Sequence, residues 1–303
     1  MFRRYEKVSR MDASECDGLL HGTVFVFEKV DGSNASIWKD EKGNICTGSR
    51  NHQLSCGGEV FNEFRGFPKY VLHHEGIKNF LEKYPHLRLY GEWLVKHTIN
   101  YNVSDYNKFY LFDVYDDKEE RYLTYAEYDE LIKDFPGAED IIVLRPIAIY
   151  NNPSLDAVKE LVGKTNFDIE AGEGVVLKNY DFVNRFGKTP WGKIVRDDFK
   201  EMNRILFNSV GKGDLEAKII AQFVNEARVR KVTNKIAIAI QQEPSVRETA
   251  RVLNTVYHDL IEEEMWEILK RYKNPTIDFK RLNSICNDVA RNLYFNILAE
   301  RSS

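Results

Sequence analysis

Only four cysteines occur among 303 residues, Cys16, Cys46, Cys56 and Cys286, and no two share the close spacing of a metal-ligand pair. That excludes a disulfide scaffold or a zinc finger as the organising device, and reduced, structural thiols are expected in a chain of this size. No apolar run nears the roughly 20 residues a membrane helix needs, and Met1-Phe2-Arg3-Arg4-Tyr5-Glu6 has no apolar segment behind its charges. A cytoplasmic protein is expected, in its own cell or in a virus-infected host. Internal repeats and low-complexity tracts are lacking too. Nor is there an excess of positive charge: 43 Lys and Arg against 47 Asp and Glu leave a net charge of -4. Any binding of nucleic acid must therefore come from a local basic face.

What is present suits a folded core, with 43% hydrophobic residues, 13% of all residues being aromatic. Runs rich in β-branched and aromatic residues predict strands at Thr23 to Glu28, Ala35 to Trp38, Leu87 to Trp93, Phe109 to Tyr115, Ile141 to Leu144 and Gly174 to Lys178. Between them, helical spacing runs from Val60 to Tyr84 with an interruption at Pro68. Thr124 and Glu127 form a capping-box pattern, and another helix starts near Ser154. Strands and helices interleave without strict alternation, which favours an α+β fold over a doubly wound sheet. Beyond Arg204 the segments Asp214 to Arg230, Ser245 to Tyr272 and Asp278 to Arg301 repeat apolar residues every three or four positions. Two domains are expected, 1–204 and an all-helical 205–303, with the boundary between Lys200 and Gly213.

Lys29-Val30-Asp31-Gly32 ends the apolar run Val24 to Phe27, which places a lysine at the end of a buried strand, where its surroundings can be rigid and dry. Alone, such a tetrapeptide is also an ordinary Asp-Gly hairpin turn. The pattern gains weight from five further motifs in order along the chain: Ser49-Arg50, Gly91-Glu92-Trp93, Leu111-Phe112-Asp113-Val114, Glu173-Gly174-Val175-Val176-Leu177-Lys178, and Lys193-Ile194-Val195-Arg196.

This ordered set resembles the six-motif covalent nucleotidyltransferases, the superfamily of polynucleotide ligases and messenger-RNA capping enzymes. Lys29 through Asn34 looks most like the nick-sealing RNA ligases, the second phage type and its RNA-editing relatives. The resemblance implies ATP-grasp-like antiparallel sheets, a helical C-terminal domain in place of an OB barrel, ATP as substrate and Mg2+ or Mn2+ as cofactor. It further implies RNA 5′-phosphate and 3′-hydroxyl ends as partners, joined at a duplex nick by a monomer. A DNA ligase, a capping guanylyltransferase and a silent binding module are the rivals.

Carried onto this chain, Lys29 would be the nucleophile, and Lys178 and Lys193 would assist it. Lysine at its ordinary pKa of about 10.4 is almost wholly protonated near neutrality. Two cations about 6 Å away would each repel it by roughly 3 kcal/mol at an effective dielectric of about 20 and lower that pKa. Glu92 would meet the ribose, Glu173 would hold the metal, Phe112 would stack on adenine, and Arg50 would contact phosphate or ribose. Asn34 completes the first motif. Backbone groups at Glu28 would read the base, its side chain staying silent. The last motif departs from the family pattern, since Val195 stands where a second lysine is usual, and Arg196 or Lys188 could replace it. His73 and His74 read as surface residues, and Arg228, Arg230 and Lys231 as a cluster that either forms a solvated face or touches phosphate.

Overall fold

The computed structural model describes residues 1–196 and 215–302, apart from the side chains of Ala138 and Ser302. Two compact units emerge, Met1–Val195 and Arg196–Ser303. The domain boundary expected at Arg204 lies outside the described residues.

The first unit is built on two sheets. One has the order β1 (Val8–Arg10), β13 (Trp191–Val195), β12 (Gly174–Lys178), β2 (Thr23–Lys29) and β11 (Pro146–Asn151), antiparallel except where β1 runs along β13. The other runs β10 (Ile142–Val143), β8 (Lys108–Asp116), β7 (Leu87–Leu94), β3 (Ser33–Lys39), β4 (Ile45–Ser49), β5 (Gln53–Cys56) and β6 (Glu59–Val60), with β9 (Arg121–Tyr122) on β8. Every strand expected from composition is present, so the α+β class holds.

Alternation along the strands decides what each face covers. In the second sheet Ala35, Ile37, Leu89, Trp93, Phe109, Leu111 and Val114 form one core with Val71 of α1 (Phe67–His73), Phe80 of α2 (Glu75–Lys83) and Tyr128 of α3 (Tyr125–Lys133). Each buried Ile, Leu, Val or Phe among them stabilises the fold by about 1.5–3 kcal/mol. The opposite face presents Tyr90 and Tyr115, which pack with Tyr5 and with Trp191 of the first sheet. The two sheets thus face each other, and Lys29-Val30-Asp31-Gly32 is the short link by which the chain leaves one for the other.

The Thr124–Glu127 capping box is formed in full ahead of α3, and Ser154 caps α4 (Leu155–Lys159). One helix expectation fails. The stretch from Val60 to Tyr84 opens in strand β6 and then turns through Phe64, Arg65 and Gly66 at φ of 40, 51 and 85°. Helix begins only where Pro68 can occupy the first turn, a position that needs no N–H. The thiol expectation also needs correction: Cys46 and Cys56 are opposite partners in the β4–β5 ladder, 4.0 Å apart at Cα, and form a disulfide. Hairpin register brings them together, which spacing alone does not reveal. Cys16 and Cys286 are free and buried.

The second unit is helical: α5 (Leu215–Phe223), α6 (Glu226–Ile240), α7 (Thr249–Arg271) and α8 (Phe279–Ser302). Its core gathers Ile220, Phe223, Val229, Val252, Val256, Leu260, Leu282 and Tyr294. The segment expected to be continuous to Arg230 breaks at Asn225, whose side chain accepts from the Arg228 N–H and starts α6. Arg228 is ion-paired with Glu263 and Glu264, and Arg230 with Glu226 and Glu300.

Candidate active site

Lys29 is the last residue of β2, and it sits opposite Gly174 of β12. Its ammonium donates to the carboxylate of Glu173, the residue just before that strand. Burial pushes the Lys29 pKa down, but Glu173, with Glu92 and Asp31 behind it, overcomes this, so the group lies above the ordinary lysine value. The expected lowering by neighbouring cations is therefore not found.

From the second sheet, β3 and β7 bring Asn34 and Glu92 into register as partners. Burial raises the Glu92 carboxyl to about 8, with Lys29 and the Gly32 N–H opposing and Glu173 and Asp31 adding to it. The Asn34 Oδ1 is buried with no hydrogen-bond partner among the described residues. Gly32 is required here, since a Cβ would come within 2.7 Å of the Trp93 carbonyl and 2.8 Å of Glu92 Cγ. Lys29, Glu173, Glu92 and Asn34 are thus collected at one end of the space between the sheets.

Strand register sorts the remaining lysines. Gly174 and Val195 share a row with Lys29, Val176 and Lys193 share the next with Phe27, and Lys178 and Trp191 share the third with Phe25. All lie on one face, because alternate residues of a strand point the same way. Val195 is therefore level with Lys29, across a glycine whose Cβ would meet the Ile194 carbonyl at 2.2 Å. Lys193 stands one row back. Arg196 comes directly after the end of β13, and Lys188 is in the β12–β13 loop at the far end of the sheet.

Lys178 departs furthest from expectation. It is 2% exposed, ion-paired with Asp113 at 2.8 Å, and donates to the Phe112 carbonyl at 2.6 Å. The rings of Phe27 and Phe112 lie 4.6 and 5.3 Å from its nitrogen. Four residues of strand, on the order of 13 Å, separate its row from that of Lys29. Burial drives Lys178 and Asp113 toward their neutral forms, and their mutual attraction opposes it. Tyr5 also donates to Asp113.

Phe112 is half-buried, 5.0 Å from the Tyr5 ring. Pairing passes from Gly91–Leu111 to Tyr90–Asp113, so Phe112 is the extra residue of a bulge, a device that re-aims a side chain. Arg50 lies in the Ser49–His52 turn, closed by the Ser49 N–H on the His52 carbonyl at 2.8 Å, and makes no ion pair among the described residues. The Glu28 side chain is not silent: its carboxylate accepts from Thr165 Oγ1 at 2.6 Å and from the Asn166 N–H at 2.7 Å.

Asp31 has a role that motif reading passed over. One of its carboxylate oxygens accepts from the N–H groups of both Thr98 and Ile99, at 2.8 Å each. Its own N–H donates to Tyr101 Oη at 2.9 Å. The loop after β7 is thereby tied to the lysine turn, and the only signal in the sequence was an acid in an Asp-Gly turn.

Two facing sheets, joined through a lysine that meets acids from both, define a protein of the nucleotidyltransferase fold. The family described as RNA ligase matches residues 22–195, more than half of the chain. The chain belongs to the RNA ligase family. Among solved structures it is similar to Naegleria gruberi RNA ligase. A variant of that ligase with AMP and Mn gives a TM-score of 0.51 at 20% identity, covering 65% of this chain and 57% of that one. A second variant with AMP and Mn gives 0.52 at 20%, covering 66% and 58%. The form with PPi gives 0.51 at 20%, covering 67% and 58%. The likeness is one of fold, and this chain matches less than two thirds of that ligase's length. No curated protein sequence matches the chain.

Proposed function

We propose that this protein is an ATP-dependent RNA ligase that works through a lysine-linked AMP on Lys29. The observation that carries the reading is Lys29 itself, ending β2 between the two sheets with Glu173 and Glu92 around it. The AMP, PPi and Mn named for the similar fold support the same chemistry.

Lys29 rests as an ammonium held by Glu173, so it must lose a proton before it can attack. Its nitrogen then bonds to the α-phosphorus of ATP as the bond to pyrophosphate breaks. AMP passes next to the 5′-phosphate of an RNA end. Finally a 3′-hydroxyl attacks that phosphate, and AMP leaves. Each step is an in-line displacement, favoured by positioning and by positive charge near the phosphoryl oxygens.

A hard divalent cation fits the donors present, since Glu173 and Glu92 offer carboxylate oxygens and the charge of Glu92 is poorly compensated. Mg2+ or Mn2+ held by Glu173, with Glu92 nearby, would supply positive charge to phosphate oxygens and compete with Lys29 for the same carboxylate. Asn34 offers its unpartnered oxygen to the nucleotide, and Phe112 offers a ring face to adenine. Lys193 and Arg50 serve phosphate. Lys178 acts at a distance, by holding Asp113 and Phe112.

The substrate we infer is a nick in duplex RNA, read through its shape and 2′-hydroxyls, with the protein acting as a cytoplasmic monomer. No helix among the described residues is long and apolar enough to cross a membrane. Incubating the protein with Mg2+ and α-labelled ATP or GTP, followed by denaturing electrophoresis, tests the first step. Label from ATP that vanishes in Lys29→Ala is expected. Label from GTP alone would point to capping, and no label from folded, AMP-free protein would leave a binding module.

A further inference from the structure

Glu28 is a charge set in an apolar row. Alternate residues of a strand share a face, so Glu28 follows Val24 and Val26 on the side of the first sheet that packs against Val158 and Leu161, opposite to Lys29. It is 4% exposed. Burying a carboxylate there is costly unless donors meet it. The donors come from one loop: Thr165 Oγ1 gives one oxygen a bond of 2.6 Å, and the Asn166 N–H gives the other a bond of 2.7 Å. Burial raises the Glu28 pKa, and these two donors oppose it.

That loop leads straight into Glu173. Its ends are closed by the Gly172 N–H on the Gly163 carbonyl at 2.9 Å. Gly172 lies so near Glu28 that a Cβ would come within 3.0 Å of its Oε1. Glu28 thus meets the loop near its start and again at its end, one residue before the acid that holds Lys29. Between these points Thr165 Oγ1 accepts from the Phe167 N–H at 3.0 Å, and the Phe167 ring lies 4.9 Å from that of Tyr101 and 5.1 Å from that of Tyr110. Asn102 Nδ2 donates to the Asp168 carbonyl at 3.0 Å. Tyr101 in turn receives the Asp31 N–H. The loop is therefore tied to the chain on both sides of Lys29, directly at Glu28 and through Tyr101 at Asp31. Fixing it in advance removes motion that would otherwise have to be lost as the reacting groups line up.

We propose that Glu28 is a positioning residue for the first step: by pinning the loop 163–172 to the strand that ends in Lys29, it sets where Glu173 stands against the lysine. The inference rests on the ligase reading, in which Lys29 is the nucleophile and Glu173 its partner. Glu28 itself touches neither the lysine nitrogen nor ATP in this role.

The test uses the full chain with Glu28→Gln, which keeps the shape but puts an amide NH2 where one acceptor oxygen was, so one of the two loop bonds must fail. Lysyl-AMP formation at saturating ATP should fall on the order of tenfold. Its rise with pH should move to lower pH as Glu173 loses its fixed place, leaving Glu92 and Asp31 as the acids acting on Lys29. On a Glu173→Gln background the same substitution should change the rate by less than about twofold, because a residue that acts through Glu173 has no carboxylate left to position. An equal fall on both backgrounds, or an unchanged rate and pH profile in folded Glu28→Gln, would overturn the proposal and leave the ligase reading in place. Absence of lysyl-AMP in the wild type would instead remove that reading. Should Glu28→Gln not fold, Thr165→Val and Thr165→Ser carry the test. The valine, which lacks the hydroxyl, should lower the rate and shift the pH rise, while the serine should match wild type; valine and serine variants that behave alike would overturn the latch.

Discussion

Lys29 and Glu173 form an ion pair although 144 positions separate them, because β2 ends in the row where β12 begins. The pair fixes the resting protonation of the nucleophile. Glu173 raises the Lys29 pKa, so removing its charge lowers it. In Glu173→Gln, the rise of lysyl-AMP formation with pH should therefore move to lower pH. Its plateau should fall at least about tenfold, since the same carboxylate is offered to the metal. Rates with labelled ATP across pH 6 to 10 measure both effects, and an unmoved alkaline rise would show that the proton is held by something else.

Glu92 makes stability depend on pH. Its carboxyl is raised from an ordinary 4.5 to about 8, chiefly by burial. A raised value in the folded state means a contribution fully present below pH 4.5 and lost as pH climbs through 8. Glu92→Gln cannot ionise and should escape that loss. Its melting temperature should match the wild type near pH 4.5 and exceed it by roughly 10 °C at pH 8.5. Parallel melting curves at the two pH values would contradict the assignment, whatever happens to activity.

Asp113 and Lys178 make a buried ion pair inside a shell of aromatic rings, and breaking it from one side should be costly. Asp113→Asn leaves an ammonium without its counter-charge and should destabilise by about 3–5 kcal/mol. Replacing both, as Asp113→Leu/Lys178→Met, should recover most of that in urea unfolding, since apolar residues of similar size can stand in for a buried pair. Lysyl-AMP formation by the recovered double variant then separates the roles. Activity within about tenfold of wild type would fit a positioning pair, whereas a folded but dead enzyme would mean that Lys178 touches the nucleotide.

Much of this architecture is legible in the chain. Alternating β-branched and aromatic runs mark six strands, the Thr124–Glu127 box marks a helix start, and the ordered motifs include Glu92 and Glu173, two of the acids whose charge acts on Lys29. What escapes is whatever depends on register and depth. Period-two alternation puts Lys178 on the face of Lys29 but cannot say that Asp113 waits beneath it. The bulge at Phe112 is a property of two strands together, as is the meeting of Cys46 with Cys56. The strand at Val60 is hidden because an apolar residue before a helix pattern fits either period.

Register also supplies a gain-of-function test. Val195 is level with Lys29 across Gly174, in the place where the family pattern has a second lysine. A cation there would act on Lys29 across one strand, opposing the pull of Glu173, and would be in position to meet the α-phosphate. Val195→Lys should therefore shift the alkaline rise of lysyl-AMP formation downward by about one pH unit and lower the KM for ATP several-fold. Val195→Met, which adds length without charge, should do neither. If both variants behave alike, charge in that row does not reach the nucleophile, and Arg196 or another cation must already serve the phosphate.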